Sequence, residues 1–384
     1  MLAIDIETYS SVDLRASGVY AYAESPDFEI LLFGYAFDDE PVQVVDLACG
    51  EKLPQRVQDA LRDPAILKTA FNANFERTCL SKYMGFRMEP EQWSCTAVMA
   101  RELGLPSSLA AVGAVLGLPE EKAKLKTGDA LIRFFSKPCK PTQANGMRTR
   151  NLPEHDPERW ELYKTYNIND VVAEREIRKK LSHFRIYDRE QALWCIDQDI
   201  NDRGVGVDQV LAREAVKIDE VVKTRLLADA VELTGLENPK STSQLKAWIE
   251  DTAGITVESL NKKAIKDVRK EANHDDVDRM LDIRAGLAKT STEKYKAMLR
   301  TVCPDSRIRG LTQFYGASRT GRWAGRLVQM QNLPQNKMPD AELDIARQLV
   351  RSGDLGTLEM CFDDISGTLS QLIRTAFVPR KGCR

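Results

Sequence analysis

The chain has 384 residues, enough for two or three domains, and its 43% hydrophobic and 29% charged residues are typical of a globular protein. A formal net charge of −2 excludes binding of nucleic acid through overall charge, so any such binding must come from local patches. Eight cysteines without a C-x-x-C pair, and only three histidines, argue against zinc and disulfides and indicate a reducing cytoplasm. No apolar run is long enough to span a membrane. A first strand that begins at Leu2 leaves no room for a signal peptide.

The first predicted element is a buried strand over residues 2–8 that carries Asp5 and Glu7. Residues i and i+2 of a strand point to the same face, so both carboxylates leave this strand side by side. Such a pair is costly to desolvate unless a cation lies between the two groups, and hard divalent cations prefer oxygen ligands. The pair therefore suggests a metal site, although a solvated edge strand with two incidental acids fits these two residues equally well.

The next part of the chain predicts a small sheet with helices around it. Further strands are expected over 28–37 and 42–47, an apolar segment over 65–71, and a polar surface loop over 137–157. Helices are expected over 51–62, after Asn72 through Tyr83, over 107–116 and over 158–181. In the last of these helices Tyr166 and Asp170 are four residues apart, so they share one face.

Taken together, these motifs resemble the DEDD exonuclease superfamily, in the branch with a tyrosine in the third motif. Asp5 and Glu7 match the first motif, Asn72-x-x-Phe75-Glu76 the second, and Tyr166-x-x-x-Asp170 the third. The second motif usually ends in Asp, and the chain departs from this pattern at Glu76. The resemblance implies an RNase H-like fold, a mixed sheet flanked by helices.

The resemblance also implies the chemistry of the site, in which water hydrolyses the terminal phosphodiester of a 3′ end. Two divalent ions activate the water and neutralise the leaving oxygen. These are Mg²⁺, with Mn²⁺ as a substitute, and the tyrosine hydroxyl orients the attacking water. The implied metal ligands are Asp5, Glu7, Glu76 and Asp170; the catalytic residues are these four and Tyr166; and Asn72 and Phe75 contact DNA.

The second half of the chain is predicted to be mainly helical. Helices are expected over 188–199, 209–234, 260–271 and 276–300, with a turn and short strand over 201–208 between the first two. Ser241 and Gln244 have the spacing of a capping box, so another helix begins there. We expect the lysine-rich faces of these helices to be exposed to solvent, as charged helix faces usually are. Asp363 and Asp364 are expected at a helix N-terminus.

Residues 307–326 differ from the helices before them because they hold five arginines and no acid, interleaved with glycines and aromatic residues. Glycine lets a backbone approach phosphate closely, and arginine offers a planar fork to phosphates or base edges. The segment therefore predicts contacts with nucleic acid, against the alternative of a solvated loop.

Thr320-Gly321-Arg322, followed by Gln331-Asn332-Leu333-Pro334, resembles the start of the polymerase domain of family A DNA polymerases, in their phage-type branch. The segments 238–245 and 284–291 resemble the thumb of that family. The resemblance implies that Arg322 contacts the primer end in the minor groove. The residues expected to bind DNA in this half are Arg319, Arg322, Arg326, Gln331 and Asn332.

The whole chain is thus expected to hold an α/β exonuclease domain over 1–186 and the mainly helical, truncated N-terminal part of a polymerase domain over 187–384. The polymerase catalytic motifs are absent, so nucleotide incorporation by this chain alone is not expected. Expected partners are single-stranded DNA 3′ ends and primer-template DNA, without a membrane, for a monomer in the cytoplasm of a bacterial or phage-infected cell. Two alternatives stay open at this point, a stand-alone exoribonuclease of the same superfamily and a non-catalytic DNA-binding scaffold.

Overall fold

A computed structural model describes residues 1–119, 128–184, 188–290, 292–317, 320–379 and 382. Its contacts divide the chain into two compact units, one formed by Met1–Val205 with Arg300–Gln331 and the other by Gly206–Leu299 with Asn332–Arg384. Two stretches beyond the predicted boundary at residue 186, one up to Val205 and the other Arg300–Gln331, thus belong to the first unit. The division into an exonuclease and a polymerase domain stays a prediction.

The first unit is built on a mixed five-stranded sheet in the order β3-β2-β1-β4-β5. The strands are β1 (Leu2–Tyr9), β2 (Glu29–Phe37), β3 (Gln43–Asp46), β4 (Lys68–Ala70) and β5 (Trp93–Cys95). β1, β2 and β3 pair antiparallel, while β4 pairs parallel with β1 and with β5. The predicted α/β fold class, a mixed sheet flanked by helices, is confirmed.

Helices cover both faces of this sheet, which explains why β1 and β2 are buried along almost their whole length. The helices of this part are α1 (Leu14–Ala23), α2 (Gln55–Arg62), α3 (Ala73–Met84), α4 (Thr96–Glu102), α5 (Leu109–Val115), α6 (Gly128–Phe135), α7 (Pro157–Leu181) and α8 (Asp188–Arg203). Leu2, Ile4 and Ile6 belong to the main core, which includes residues of α3. Ala3 packs instead against Val171 of α7. The odd-numbered residues of β1 therefore face α7.

The rest of the described chain is mainly helical, with short strands. Its elements are β6 (Val205–Val207), α9 (Gln209–Thr234), α10 (Thr242–Ala253), α11 (Ala264–Ala272), α12 (Asp275–Leu287), α13 (Glu293–Thr301), β7 (Arg307–Ile308), β8 (Thr312–Gln313), β9 (Ala324–Gly325), α14 (Asp340–Ser352), α15 (Leu355–Cys361), α16 (Ile365–Leu372) and β10 (Phe377–Val378). In the second unit, α9, α10 and α12 share a core around Ala230, Leu245 and Met280. Within the described ranges, no helix is both long and apolar enough to cross a lipid bilayer.

The structure contradicts one sequence prediction for this half and confirms another. The single helix predicted over 276–300 is wrong, because α12 ends at Leu287 and α13 begins at Glu293. The Thr292 hydroxyl between them donates a 2.8 Å hydrogen bond to Asp219 of α9, and β-branched and hydroxyl residues favour such breaks. The helix N-terminal role of Asp364 is confirmed, since its side chain accepts from the Gly367 N–H at the start of α16.

Candidate active site

Three acidic side chains meet beside the central strand. Ligand oxygens of Asp5, Glu7 and Asp170 all lie within 4.8 Å of one another. Asp5 and Glu7 leave β1 on the face that α7 covers, and Asp170 reaches them from that helix. The i, i+2 spacing on a strand and the position of Asp170 on its helix therefore bring three of the four predicted metal ligands together.

A cavity of about 660 Å³ opens next to these acids. The register of β1 with β4 stops at Ala3 and Thr69, so the two parallel strands separate before they reach the acids. The chain leaves β4 into the Asn72 turn and α3 at the same point. The cavity lining includes Asp5, Glu7, Ser10, Asn72, Phe75, Glu76, Ser136, Lys137, Tyr166 and Asp170. All the residues that were assigned from the sequence to the three exonuclease motifs thus line one cavity.

Glu76, the predicted fourth ligand, lies in the first turn of α3 and is 5% exposed. It lines the cavity but is outside the group of three acids within 4.8 Å. Burial raises the pKa of its carboxyl to about 8, and the nearby Glu174, Glu7 and Asp170 add to this effect. Its buried Oε2 makes no hydrogen bond to any described residue.

The donor set fits a divalent metal ion. Three carboxylates converge within 4.8 Å, and a fourth has a buried oxygen without a hydrogen-bond donor among the described residues. Repulsion and desolvation make this arrangement unfavourable unless a positive charge is present. Oxygen ligands of this kind suit Mg²⁺ or Mn²⁺.

Tyr166 brings a phenol to the same cavity from one turn before Asp170, and the side chain is almost fully buried, at 1% exposed. Burial raises the pKa of its hydroxyl far above the ordinary value, and Asp170, Glu7 and Asp5 raise it further. The group is therefore a neutral hydrogen-bonding hydroxyl. Gly128 makes room for the ring, since a Cβ on it would lie 2.1 Å from Tyr166 Cε2.

The sequence argument missed a second set of residues that contact the acids. The Tyr163 hydroxyl donates to Glu7 Oε2 at 2.5 Å and forms a 2.7 Å hydrogen bond with the Ser136 hydroxyl. Asn167 Nδ2 donates to Asp5 Oδ2 at 2.7 Å. Spacing could have found two of them, because Tyr163 precedes Tyr166 by three residues and Asn167 by four, which places all three side by side on α7.

Two of the five arginines in 307–326 make hydrogen bonds to other parts of the protein. Arg307 donates to the backbone carbonyls of Arg203 and Gly204, at 2.7 and 2.6 Å. Arg309 donates to the Asp202 carbonyl and forms an ion pair with Asp305. Both side chains are thus held against the turn after α8. That the arginine-rich segment contacts nucleic acid stays a prediction.

The residues predicted to bind DNA in this region are otherwise exposed. Arg322, Arg326, Gln331 and Asn332 are exposed side chains. The Arg326 guanidinium donates to Gln313 Oε1, and Arg322 Nε donates to the Thr320 hydroxyl at 3.1 Å. Arg319 lies outside the described residues. Their role in DNA binding stays a prediction.

Comparison with known proteins supports the resemblance drawn from the motifs. No protein-family model matches the chain. The chain is 55% identical over 381 residues to a DNA polymerase of Bacillus phage SP02, an alignment that covers 99% of this chain and 58% of that polymerase. This similarity confirms the predicted likeness to phage DNA polymerases. The chain spans little more than half of that relative's length.

A solved structure shares the fold at low sequence identity. It is the POL domain of Pol1 from M. smegmatis in complex with DNA primer-template and dNTP. The match has a TM-score of 0.50 and 15% identity, and it covers 90% of this chain and 53% of the solved one. At this identity the match shows a shared fold and no more.

Proposed function

We propose that this chain is a metal-dependent 3′–5′ exonuclease that removes nucleotides from DNA 3′ ends, as the proofreading part of a phage-type DNA polymerase. The observation that carries the proposal is the convergence of Asp5, Glu7 and Asp170 within 4.8 Å, in a cavity that Tyr166 also lines. The similarity over 381 residues to a phage DNA polymerase supports a function related to DNA polymerisation.

In this proposal Asp5, Glu7, Glu76 and Asp170 hold two divalent ions, Mg²⁺ or Mn²⁺. When bound, such ions lower the pKa of a water and stabilise the leaving oxygen in phosphodiester hydrolysis. The chain's own groups set the geometry: Tyr163 and Asn167 hold the carboxylates of Glu7 and Asp5 by hydrogen bonds. The neutral Tyr166 hydroxyl orients the attacking water, because its raised pKa prevents it from acting as a base near neutral pH.

The remainder of the cavity accommodates the 3′-terminal nucleotide. Phe75 lies at the cavity as a half-buried aromatic ring, and stacking on a base is worth about 1–3 kcal/mol at such positions. Asn72 offers an amide to a base or sugar, because it does not cap α3 with its side chain. Lys137 is exposed at the cavity and supplies a positive charge toward a phosphate.

The second half of the chain is proposed to grip the same DNA outside the cavity. Arg322, Arg326, Gln331 and Asn332, together with Arg319, would contact a primer-template duplex near its primer end. We further propose a monomer that acts in the cytoplasm of a bacterial or phage-infected cell.

The test is degradation of a 5′-labelled single-stranded DNA oligonucleotide, with an RNA of the same sequence in parallel and Mg²⁺ present. The wild-type chain should shorten the DNA one nucleotide at a time from its 3′ end. Asp5→Ala and Asp170→Ala should each lower the rate by several orders of magnitude, because each removes a metal ligand. Tyr166→Phe should lower it less, since only the orientation of a water is lost.

Glu161→Gln is the matched control, an exposed acid on α7 that pairs only with the nearby Lys164 among the described ion pairs. It should retain wild-type activity. Asp5→Ala with wild-type activity would show that the nuclease site lies elsewhere. Faster degradation of the RNA than of the DNA would favour the exoribonuclease alternative, because only RNA offers 2′-hydroxyl groups to the cavity.

A further inference from the structure

Asn167 lies on α7 between Tyr166 and Asp170 and is fully buried, at 0% exposed. Its Nδ2 donates to Asp5 Oδ2 at 2.7 Å and to the backbone carbonyl of the same residue at 3.1 Å. One amide group therefore bridges the side chain and the backbone of Asp5. Two hydrogen bonds to one residue fix the orientation of its carboxylate relative to its strand.

The strand beside β1 leaves the room that this amide needs. Gly34 of β2 pairs with Asp5 in the antiparallel register. A Cβ on Gly34 would lie 2.6 Å from Asn167 Oδ1 and 3.1 Å from Val171 Cγ2. Any side chain at this position would displace the amide, since real Cβ atoms essentially never approach another atom so closely.

The oxygen of the amide points to the same role. Asn167 Oδ1 is buried and has no hydrogen-bond donor among the described residues. An unsatisfied buried carbonyl oxygen is unfavourable, because it loses its hydrogen bonds to water without replacement. Burial of the amide at this cost, with only Nδ2 hydrogen bonded, is consistent with selection for its contact with Asp5 rather than for stability.

We propose that Asn167 is a positioning residue that holds Asp5 in its metal-binding orientation. Gly34, which has no side chain, leaves the space in which the Asn167 amide lies. The proposal rests on the function proposed above, because it assumes that Asp5 is a metal ligand. Without the amide, repulsion from Glu7 and Asp170 turns the Asp5 carboxylate away before metal arrives. Partners that orient metal ligands typically contribute about 10- to 100-fold to metal affinity or activity.

The test is direct binding of Mn²⁺ to the full chain, followed by the electron spin resonance signal of the free ion. Asn167→Ala should weaken Mn²⁺ binding by about 10- to 100-fold. Asn169→Ala is the matched control, since Asn169 lies roughly 200° further round the same helix and is only half-buried. It should change Mn²⁺ affinity by less than about twofold.

Exonuclease assays across a metal titration separate positioning from general damage. Asn167→Ala should raise the half-saturating metal concentration by the same factor, while the rate at saturating Mn²⁺ recovers toward the wild-type value. A loss of rate at every metal concentration, with unchanged Mn²⁺ affinity, would overturn the proposal. If the wild-type chain binds Mn²⁺ but degrades no nucleic acid, the proposed exonuclease fails, whereas the comparison of Mn²⁺ affinities still decides the role of Asn167.

A double-mutant cycle tests the space at Gly34 by thermal unfolding and Mn²⁺ binding. Gly34→Ala should weaken Mn²⁺ binding and lower the melting temperature in the wild-type background. In the Asn167→Ala background the same change should have a much smaller effect, because the nearest obstructing atom is gone. Losses that simply add in the double variant would show that Gly34 and Asn167 act independently, and would overturn this part of the proposal.

Discussion

Replacement of Asp170 by Asn is expected to stabilise the metal-free chain and to abolish its stabilisation by metal. With oxygens within 4.8 Å, two like charges repel by about 3.5 kcal/mol at an effective dielectric constant of about 20. Asp170 takes part in two such pairs, with Asp5 and with Glu7. Loss of its hydrogen bonds offsets about 1–3 kcal/mol of the gain. The two pairs less this loss leave about 4–6 kcal/mol as an upper bound, because water in the open cavity screens the charges. We expect the metal-free variant to be more stable by at least about 1 kcal/mol, or about 2–4 °C in melting temperature.

In the presence of Mg²⁺, the wild-type chain should instead be more stable than Asp170→Asn. For the wild-type chain, Mg²⁺ at 100 times its dissociation constant adds about 2.7 kcal/mol to the free energy of unfolding. This corresponds to an increase of roughly 5–10 °C in melting temperature for a unit of this size. Asp170→Asn should show little of the increase, because one of the converging ligands no longer carries a charge.

Tryptophan fluorescence is the suitable readout, because Trp93, Trp160, Trp194 and Trp323 lie in the first unit and only Trp248 lies in the second. Melts in EDTA and in MgCl₂ should be compared for wild type, Asp170→Asn and the control Glu161→Gln. The reasoning is refuted if Asp170→Asn melts below the wild type in EDTA, or if metal stabilises both proteins equally.

Three further predictions follow from individual contacts. Gly128→Ala should lower exonuclease activity at nearly unchanged metal affinity, measured by metal titration, because its Cβ would displace the Tyr166 ring. Burial lowers the pKa of Lys68 from 10.5 to about 8. The unfolded chain thus holds more protons between these values, so the free energy of unfolding should rise with pH across that window. Denaturant unfolding of Lys68→Met, measured across the same pH range, should lack this rise. Arg322→Ala should weaken DNA binding and reduce the slope of log K against log salt by about one unit. Arg307→Ala should instead lower the melting temperature. An unchanged slope for Arg322→Ala would show that this arginine lies in a solvated loop without a DNA contact.

Two pairs of motif residues were predictable from local geometry, whereas Asn72, Phe75 and Glu76 were assigned from the resemblance alone. Asp5 and Glu7 share a face of any strand, and Tyr166 and Asp170 share a face of any helix. What brings the strand and the helix together is the alternation along β1, in which Ile4 and Ile6 enter the main core while Ala3 faces α7. The order of the motifs along the chain made their convergence a reasonable expectation.

Other features depend on partners that are distant in the sequence. The contact of Asn167 with Asp5 requires the register that places Gly34 opposite Asp5, and no local pattern gives that register. The break between α12 and α13 includes a hydrogen bond to Asp219, about 70 residues earlier on α9. Arg307 resembles a ligand-binding arginine in the sequence, and only the fold shows that backbone carbonyls of the turn at 203–204 accept its hydrogen bonds.

The central position of β1 has a consequence for how the site responds to partial unfolding. β1 pairs with β2 from Leu2 to Tyr9, with an irregularity between Glu7 and Thr8, and with β4 at Leu2 and Ala3. We therefore expect the amides of β1 that are hydrogen bonded to β2 to be among the well-protected ones of the first unit. Strands of this kind exchange their amide hydrogens mainly through global opening, while peripheral helices and loops open at lower free energy. Local opening of a peripheral element such as α5 therefore leaves Asp5 and Glu7 in register. The spacing of these two acids should persist in every partly open state of the chain and be lost only with the sheet itself.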